Sequence, residues 1–263
     1  MNSNIVNGKR EYDEKNYDVA LKYFDRVSSS DEDYSYMLIY KINSLMELEE
    51  YEKCLKLLNS LIEDMPYDRL LWYEKIRCHI FLKQDEKAFK SLSEFERLID
   101  EDDKYFTLSV AKFYDVLGDS ESALKFCNRA LEIDENYEEA LQQKAQIACL
   151  NKNEDLMMEC SEKLIELAKG DIIKLMLPFL LNLFSGNYIR AYEIIPMMDE
   201  IDDEHSELLK SAIYQHMVDD LKLEIRLTSP AEWHVDDALK LLFKYKYEGI
   251  EAGIFKGVGY FIV

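Results

Sequence analysis

Apolar residues recur along the chain in pairs of short amphipathic stretches. In one stretch, Tyr17, Ala20, Leu21, Phe24 and Val27 are spaced i, i+3, i+4, i+7 and i+10, which places them on one face of a helix. A compact residue then recurs at steps of 34, 34, 35, 34 and 34 residues, at Ala20, Cys54, Ala88, Ala123, Met157 and Ala191. A period this constant predicts a helical solenoid built from repeated helix pairs.

Each repeat is predicted to hold two helices, A and B, joined by a tight turn. In the first repeat helix A runs from about Asn4 to Glu14, and Lys15-Asn16 turns the chain. Gly and Asn tolerate the left-handed conformation that ends a helix, and four of the six A-to-B turns contain one of them. The B-to-A turns are mostly acidic, which suits the positive end of the next helix dipole.

The repeated positions resemble the tetratricopeptide repeat family over about residues 2–205. On helix A the match is a bulky residue early in the helix, Trp72, and a small residue midway along it, at Gly8, Ala111 and Ala145. On helix B a tyrosine stands three residues before the compact position, at Tyr17, Tyr51 and Tyr188. A large residue stands four residues after the compact position, at Phe24, Leu58, Leu92 and Ile195. The resemblance implies an all-α fold, a right-handed superhelical solenoid of antiparallel helix pairs, whose A helices line a concave peptide-binding face.

The chain is expected to divide into a repeat array, a cap and a tail. The predicted repeats cover residues 1–34, 35–68, 69–103, 104–137, 138–171 and 172–205. Pro178 and Pro196 fall inside the helices of the sixth repeat, so we expect a kink at each or an early end of helix B near Ile194. Residues 206–247 read as two capping helices, the first spanning about 206–227, because a solenoid must cover its last apolar face.

The tail, residues 248–263, contains four glycines and ends in Gly-Tyr-Phe-Ile-Val. A free apolar end is unfavourable in water. We expect it to dock on its own chain or in the groove of a neighbouring copy, giving a homodimer. Disorder is the remaining alternative.

The amino-acid composition indicates which classes of partner and which cellular compartment to expect. The chain has 32 Lys and Arg against 53 Asp and Glu, a formal charge of −21, which repels nucleic acid and anionic lipid. Five cysteines without a CxxC pair favour a reduced, cytoplasmic protein. No signal-peptide pattern and no apolar run of 18 residues is visible, so neither secretion nor membrane insertion is expected.

No motif of catalysis or cofactor binding appears. Gly-rich phosphate loops, HExxH, GxSxG and kinase signatures are absent from the sequence. The adjacent Cys78 and His79 point about 100° apart on a helix and suit a structural role better than a metal site. Histidines at 205 and 234 have nearby acids but no second pair of ligands. We therefore expect no enzyme activity, no cofactor and no metal.

The candidate binding residues lie on the A helices. The residue after the small mid-helix position forms a column that is mostly polar, partly basic and never acidic: Lys9, Asn43, Arg77, Lys112, Gln146 and Leu180. Neighbouring positions add Tyr12, Tyr36, Tyr40, Tyr73, Tyr105 and Gln142, and then the apolar Met176 and Leu177. This pattern predicts a groove for an extended segment of roughly 11–12 residues. The alternative is that these are ordinary half-exposed helix residues.

One binding mode known in the resembling family is not expected here. Some members clamp a C-terminal carboxylate with Lys, Asn and Arg side chains on the first three A helices. The matching positions hold Ile5, Lys9, Tyr40, Leu70 and Glu74. Only Lys9 could serve such a clamp, and it stands where the family has Asn.

The sequence thus favours a non-enzymatic scaffold that binds a peptide or partner surface in its groove. The alternative is a self-associating structural module whose tail fills its own or a neighbour's groove. An enzyme is a third reading, but no set of titratable groups converges to support it.

Overall fold

The computed structural model describes residues 2–199, 201–220, 225–227 and 260–262. The chain divides into two units, Met1–Ala123 and Leu124–Val263, and the boundary falls within one helix. Within the described residues, each of the six predicted repeat segments holds two helices. The α-helices are α1 Ser3–Asp13, α2 Tyr17–Phe24, α3 Tyr34–Glu47, α4 Tyr51–Asp64, α5 Arg69–Phe81, α6 Asp85–Glu96, α7 Lys104–Val116, α8 Ser120–Ile133, α9 Glu138–Leu150, α10 Glu154–Ala168, α11 Ile172–Phe184, α12 Tyr188–Ile194 and α13 Asp203–Asp220.

Successive helices pack on one another within each unit. In the first unit each of α1 to α6 packs against the helix that follows it, and the A helices α1 and α3 also meet. In the second unit α9 to α13 pack in the same sequential way. All six compact positions are buried: Ala20, Cys54, Ala88, Ala123 and Ala191 are fully inaccessible, and Met157 is 3% exposed. The 34-residue period therefore follows the helix contacts that exclude water.

The A-to-B turns share one geometry. Each has three residues, and the middle residue takes the left-handed conformation: Lys15, Glu49, Lys83, Gly118, Lys152 and Gly186. The amide N–H after it donates to a carbonyl five residues back, as in Asn16 to Glu11 at 2.8 Å, which is the hydrogen bond of a Schellman motif.

The prediction that asparagine supplies the left-handed residue is wrong. Asn16, Asn153 and Asn187 have φ of −87°, −89° and −85° and stand at the N-caps of the following helices. The Asn153 side chain accepts a hydrogen bond from the Leu156 amide at 3.1 Å. The Asn153 side chain thus satisfies a helix start, and the residue before each of the three asparagines is a lysine or a glycine.

Acidic residues cap several A helices, as the sequence suggested. The Asp103 carboxylate accepts from the amides of Tyr105 and Phe106, both at 3.1 Å. Asp171 accepts from Ile173 at 2.8 Å, and Asp68 accepts from Leu70 at 2.9 Å. Each carboxylate satisfies amide N–H groups that have no partner within the helix and lies at the positive end of its dipole.

The two prolines of the sixth repeat behave differently. Helix α12 ends at Ile194, as predicted, and a 3₁₀ helix Ile195–Met197 containing Pro196 follows it. Helix α11 is continuous through Pro178. The Pro178 carbonyl accepts from Asn182 Nδ2 at 3.0 Å and from Ser161 Oγ at 3.3 Å, so two buried side chains hydrogen-bond to the backbone at this proline.

In the C-terminal region the end of the first predicted capping helix differs from the expectation. Helix α13 covers the first part, but residues 225–227, expected to end that helix, form strand β1 (Ile225–Leu227) instead. It pairs antiparallel with β2 (Tyr260–Ile262), with Arg226 opposite Phe261. The partner strand gives these residues an alternative source of backbone hydrogen bonds. The second predicted capping helix and residues 248–259 of the tail lie outside the described residues.

Candidate peptide-binding surface

Five of the predicted groove residues come together on α1 and α3. This tyrosine cluster consists of Lys9, Tyr12, Tyr36, Tyr40 and Asn43. The rings of Tyr12 and Tyr40 meet edge to face with centroids 5.2 Å apart, and those of Tyr36 and Tyr40 at 5.0 Å. The Lys9 ammonium lies 5.7 Å from the centroid of the Tyr40 ring. The residues are i, i+3 or i, i+4 neighbours on two helices that pack directly, so helical spacing brings them together.

Hydrogen bonding leaves this cluster with unused capacity. The hydroxyl oxygens of Tyr36 and Tyr40 are 2.8 Å apart, so one donates to the other and one O–H stays available. The hydrogen bond with Tyr36, and then burial, raise the pKa of Tyr40. Burial also raises the pKa of Tyr12, while the hydrogen bond with Asn43 partly offsets it. These phenols are therefore protonated and uncharged at neutral pH.

Acidic neighbours modify the predicted basic column. Lys9 Nζ lies 2.7 Å from Asp13 Oδ2, one helical turn further along α1, and this hydrogen bond raises the pKa of Lys9. Arg77 Nη1 lies 2.8 Å and 3.1 Å from the two carboxylate oxygens of Glu74. Burial raises the pKa of Glu74, and Arg77 opposes that shift. Two of the three cations are thus locally neutralised.

Tyr73 and Arg77 form a second part of the surface on α5. The Arg77 guanidinium lies 6.0 Å from the Tyr73 ring centroid. The same Tyr73 ring also packs inward: its centroid lies 5.0 Å from that of Phe113 and 6.2 Å from that of Phe95. Tyr73 therefore contributes to the core as well as to the surface, which combines the two interpretations that the sequence left open.

On α7 the predicted residues are exposed. Tyr105 is 67% accessible, and Lys104 Nζ lies 5.3 Å from its ring centroid. Lys112 is exposed and forms no ion pair with any described residue. It is the remaining cation of the column that is free to meet an acidic group.

The second unit carries the remaining polar residues of the set. Gln142 and Gln146 are both exposed on α9. Gln142 Nε2 donates to Glu138 Oε1 at 3.1 Å, and Lys174 of α11 reaches the other oxygen of Glu138 at 2.5 Å. Lys174 thus links the polar row of α9 to the first turn of α11.

An apolar cavity of about 410 Å³ also lies in the second unit. It is lined by Ile172 and Met176 of α11, Met198, Ile201, and Leu208 and Leu209 of α13. His205 and Asp202 stand at its polar side, with Nδ1 and Oδ1 2.7 Å apart. Met176 is one of the residues that the sequence assigned to an apolar end of the groove.

Sequence reasoning missed the acids that pair with the column. Asp13 follows Lys9 by four residues and Glu74 precedes Arg77 by three, so both pairs could have been found from helical spacing.

Within the described residues, no group of three or more His, Cys, Asp or Glu side chains is placed to hold a metal ion. In the same part of the chain, none of the helices combines the length and hydrophobicity that a membrane span requires.

Known structures resemble this chain, although no family model and no curated protein matches its sequence. A tetratricopeptide repeat protein from Parabacteroides merdae aligns over 91% of this chain and 97% of its own, at 14% identity and a TM-score of 0.57. The fold is that of a tetratricopeptide repeat protein. The predicted all-α helical solenoid and the resemblance to this family are confirmed.

Two further tetratricopeptide-like structures agree. The C-terminal part of a TPR repeat-containing protein from Cytophaga hutchinsonii matches over 79% of both chains, at 12% identity and a TM-score of 0.55. The MamA RS-1 double mutant matches 64% of this chain and 96% of its own, at 15% identity and a TM-score of 0.51. At these identities the similarity establishes the tetratricopeptide fold alone.

Proposed function

We propose that this protein is a non-enzymatic interaction scaffold that binds a peptide or partner surface along its A helices. The tyrosine cluster of α1 and α3 is the observation that carries this proposal. It presents apolar ring area, a free hydroxyl donor and a lysine over one ring, and such amphipathic, rigid side chains bind partners at low entropic cost. The tetratricopeptide fold supports the proposal by supplying a row of A helices on which such residues repeat.

The expected partner is a protein or peptide segment with an apolar anchor. Because Lys9 and Arg77 are already paired with acids, the surface is not a simple row of cations. An aromatic or aliphatic side chain would pack on the tyrosine cluster, and an acidic residue of the partner would meet Lys112. With a formal charge of −21, the chain disfavours nucleic acid and anionic membranes as partners. A cytoplasmic location stays part of this proposal.

Selection of peptides from a random display library against the full chain tests the proposal. Selected peptides would be measured by fluorescence anisotropy against wild type and a Tyr36→Ser, Lys112→Glu variant. Both residues are exposed, so the fold should be kept, as circular dichroism would check. We expect at least a tenfold loss of affinity. The control, Lys56→Glu on the exposed side of α4, should bind as wild type does. If the double variant bound the peptides as tightly as the control does, the peptides would not bind at the A-helix surface.

Self-association through the tail is the second candidate. Residues 260–262 pair with residues 225–227 of the same chain, so part of the apolar end already has an intramolecular partner. A homodimer would form if the same pairing were exchanged between two copies. Light scattering over a range of concentrations, for the full chain and for a chain ending at Tyr247, tests this. A monomer in both cases would reject the exchange.

A further inference from the structure

The first unit contains a cavity of about 440 Å³ away from the tyrosine cluster. It is lined by the B helices α4 and α6 and by the side of α5 that faces them. Its charged and polar residues include Lys75 and His79 of α5, and Lys87, Lys90 and Ser91 of α6. Glu52 of α4 is the acidic residue of the lining. Small-molecule sites are typically roughly 300–1,000 Å³, so the size suits a ligand rather than a few waters.

The charge of this cavity is opposite to that of the chain. Three lysines face one glutamate, although the whole protein carries a formal charge of −21. Elsewhere in the same unit Lys9, Lys41, Arg69 and Arg77 each lie within 2.9 Å of a carboxylate. Among the described residues, none of the three cavity lysines forms an ion pair. This is a local concentration of positive charge that the protein does not neutralise.

The contacts of these lysines provide no compensating negative charge. Lys75 Nζ lies 4.8 Å from the ring centroid of Trp72, and burial lowers its pKa. Lys87 Nζ donates to Gln84 Oε1 at 3.1 Å. A neutral acceptor and an aromatic face stabilise an ammonium group but leave its charge uncompensated. An anion bound in the cavity would compensate this positive charge.

His79 gives the cavity a buried polar group. It is 6% exposed, and its Nδ1 lies 3.1 Å from Gln84 Oε1. Because Oε1 also accepts from Lys87, it is an acceptor, and Nδ1 must carry the hydrogen. Nε2 is then the ring nitrogen that can still take a proton. A protonated His79 would add a fourth positive charge to the lining.

We propose that this cavity binds a small molecule bearing a multivalent oxyanion of the phosphate class, held by Lys75, Lys87, Lys90 and His79. Three lysines on two helices line the space and carry point charges, which suits the several oxygens of a phosphate. The Ser91 hydroxyl offers a further polar group. The volume leaves room for an organic group beyond the phosphate, next to Leu55 and Leu82. The site does not depend on the A-helix surface and can be tested separately from it.

Titration of the full chain with pyrophosphate, inorganic phosphate and sulfate tests this inference. Isothermal titration calorimetry and thermal unfolding would be run at constant ionic strength, with acetate as a monovalent control. We expect saturable binding and a rise in Tm with pyrophosphate, weaker effects with phosphate and sulfate, and none with acetate. The three oxyanions distinguish a general anion site from one that prefers two linked phosphates. No saturable response to any of them would overturn the proposal.

Matched charge variants locate the binding. Lys87→Gln combined with Lys90→Gln alters two exposed side chains, so the fold should be kept, and affinity should fall at least tenfold. Lys15→Gln combined with Lys125→Gln removes the same charge at two exposed residues outside the cavity and should change affinity less than twofold. Equal losses in both variants would show a nonspecific charge effect and overturn the site.

An NMR readout reports on His79 directly. Bound sulfate does not titrate near neutral pH, so it should raise the pKa of His79 by favouring its protonated form. The pKa of His205, which lies in the second unit and outside this cavity, should stay unchanged. An unaltered His79 titration at saturating sulfate would overturn the role of His79.

Discussion

Gly8 of α1 lies directly against the ring of Phe24 in α2. A Cβ added at Gly8 would stand 2.7 Å from Cδ1 of that ring and closer still to Cε1. Phe24 is 1% exposed, so the ring is enclosed and has little room to withdraw. The two helices of the first repeat therefore pack closer than any side chain at this position permits.

Gly8→Ala should destabilise the protein by about 1–3 kcal/mol, the usual cost of overpacking a core. The direction is informative, because alanine is the better helix former by about 1 kcal/mol. Urea unfolding followed by circular dichroism measures the change. The Gly8→Ala, Phe24→Leu double variant should lose less free energy of unfolding than the sum of the losses in the two single variants. A Gly8→Ala protein at least as stable as wild type would show that the contact relaxes freely.

The left-handed turns give a second prediction. Lys83 has φ of 55° in the α5–α6 turn, where an L-residue costs roughly 1–2 kcal/mol. Lys83→Gly should therefore stabilise the protein by about 0.5–1 kcal/mol, after the larger entropy that glycine has in the unfolded chain is subtracted. Thermal and urea unfolding would both report the gain.

Gly118 is the natural counterpart of Lys83. It occupies the same turn position with φ of 82°, and a Cβ there would meet no atom within 4 Å. Gly118→Ala should thus cost about 1 kcal/mol through backbone conformation alone. If both substitutions left the free energy of unfolding unchanged, the left-handed conformation would carry no energetic cost for a residue with a side chain.

These turns show where sequence reasoning succeeds and where it stops. The compact residues from Ala20 to Ala191 predicted the helix pairs, because burial repeats each time the same contact is made. The expectation is correct for Gly118 and Gly186 and wrong for asparagine. In the first turn the hydrogen bond from Asn16 to Glu11 sets the conformation of Lys15 between them, whatever its side chain. The modest cost of a lysine there is outweighed by packing of the helices on either side.

The binding surface was predictable to a similar extent. The tyrosines of α1 and α3 were identified because the repeat register places them on two neighbouring A helices. The neutralising acids Asp13 and Glu74 were missed because one residue per repeat was compared. The cationic cavity requires Lys75 and His79 of one helix to face Lys87 of another, and no spacing within a single helix indicates that.

Asn182 provides a third prediction, in the second unit. It is 1% exposed, and its amide connects the Pro178 carbonyl and Ser161 to Asn187, whose Nδ2 donates to Asn182 Oδ1 at 3.0 Å. Asn182→Ala would leave the buried Ser161 hydroxyl with fewer partners and open a small cavity. We expect a loss of about 1–3 kcal/mol in the free energy of unfolding.

Gln146→Ala on the exposed face of α9 is the control for this change and should stay within about 0.5 kcal/mol of wild type. Urea unfolding of both variants gives the comparison. Equal stability of the Asn182→Ala protein and the control would mean that solvent or rearrangement replaces the network.

Two histidines should titrate in opposite directions from the ordinary value of 6.5. Burial lowers the pKa of His79; the hydrogen bond with Gln84 opposes this, and the charges of Lys75 and Lys87 add to it. Lys90 of α6 and Glu52 of α4 are the other charged residues of the same cavity. The hydrogen bond with Asp202 raises the pKa of the exposed His205. Two-dimensional NMR of the imidazole protons would resolve both titrations.

The shift of His79 has a consequence for stability. Its unfolded form takes a proton near pH 6.5, whereas the native form resists protonation until lower pH. The unfolded state therefore binds more protons, and the free energy of unfolding should fall as the pH is lowered from 6.5 towards the native pKa. His205 acts in the opposite sense: its contribution is present below 6.5 and is lost as the pH rises through its raised pKa. A His79→Gln protein should show a shallower loss of stability between pH 7.5 and about pH 5.5. A His79 titration at or above 6.5 in the unliganded protein, or an unchanged slope in the variant, would contradict the burial of this imidazole.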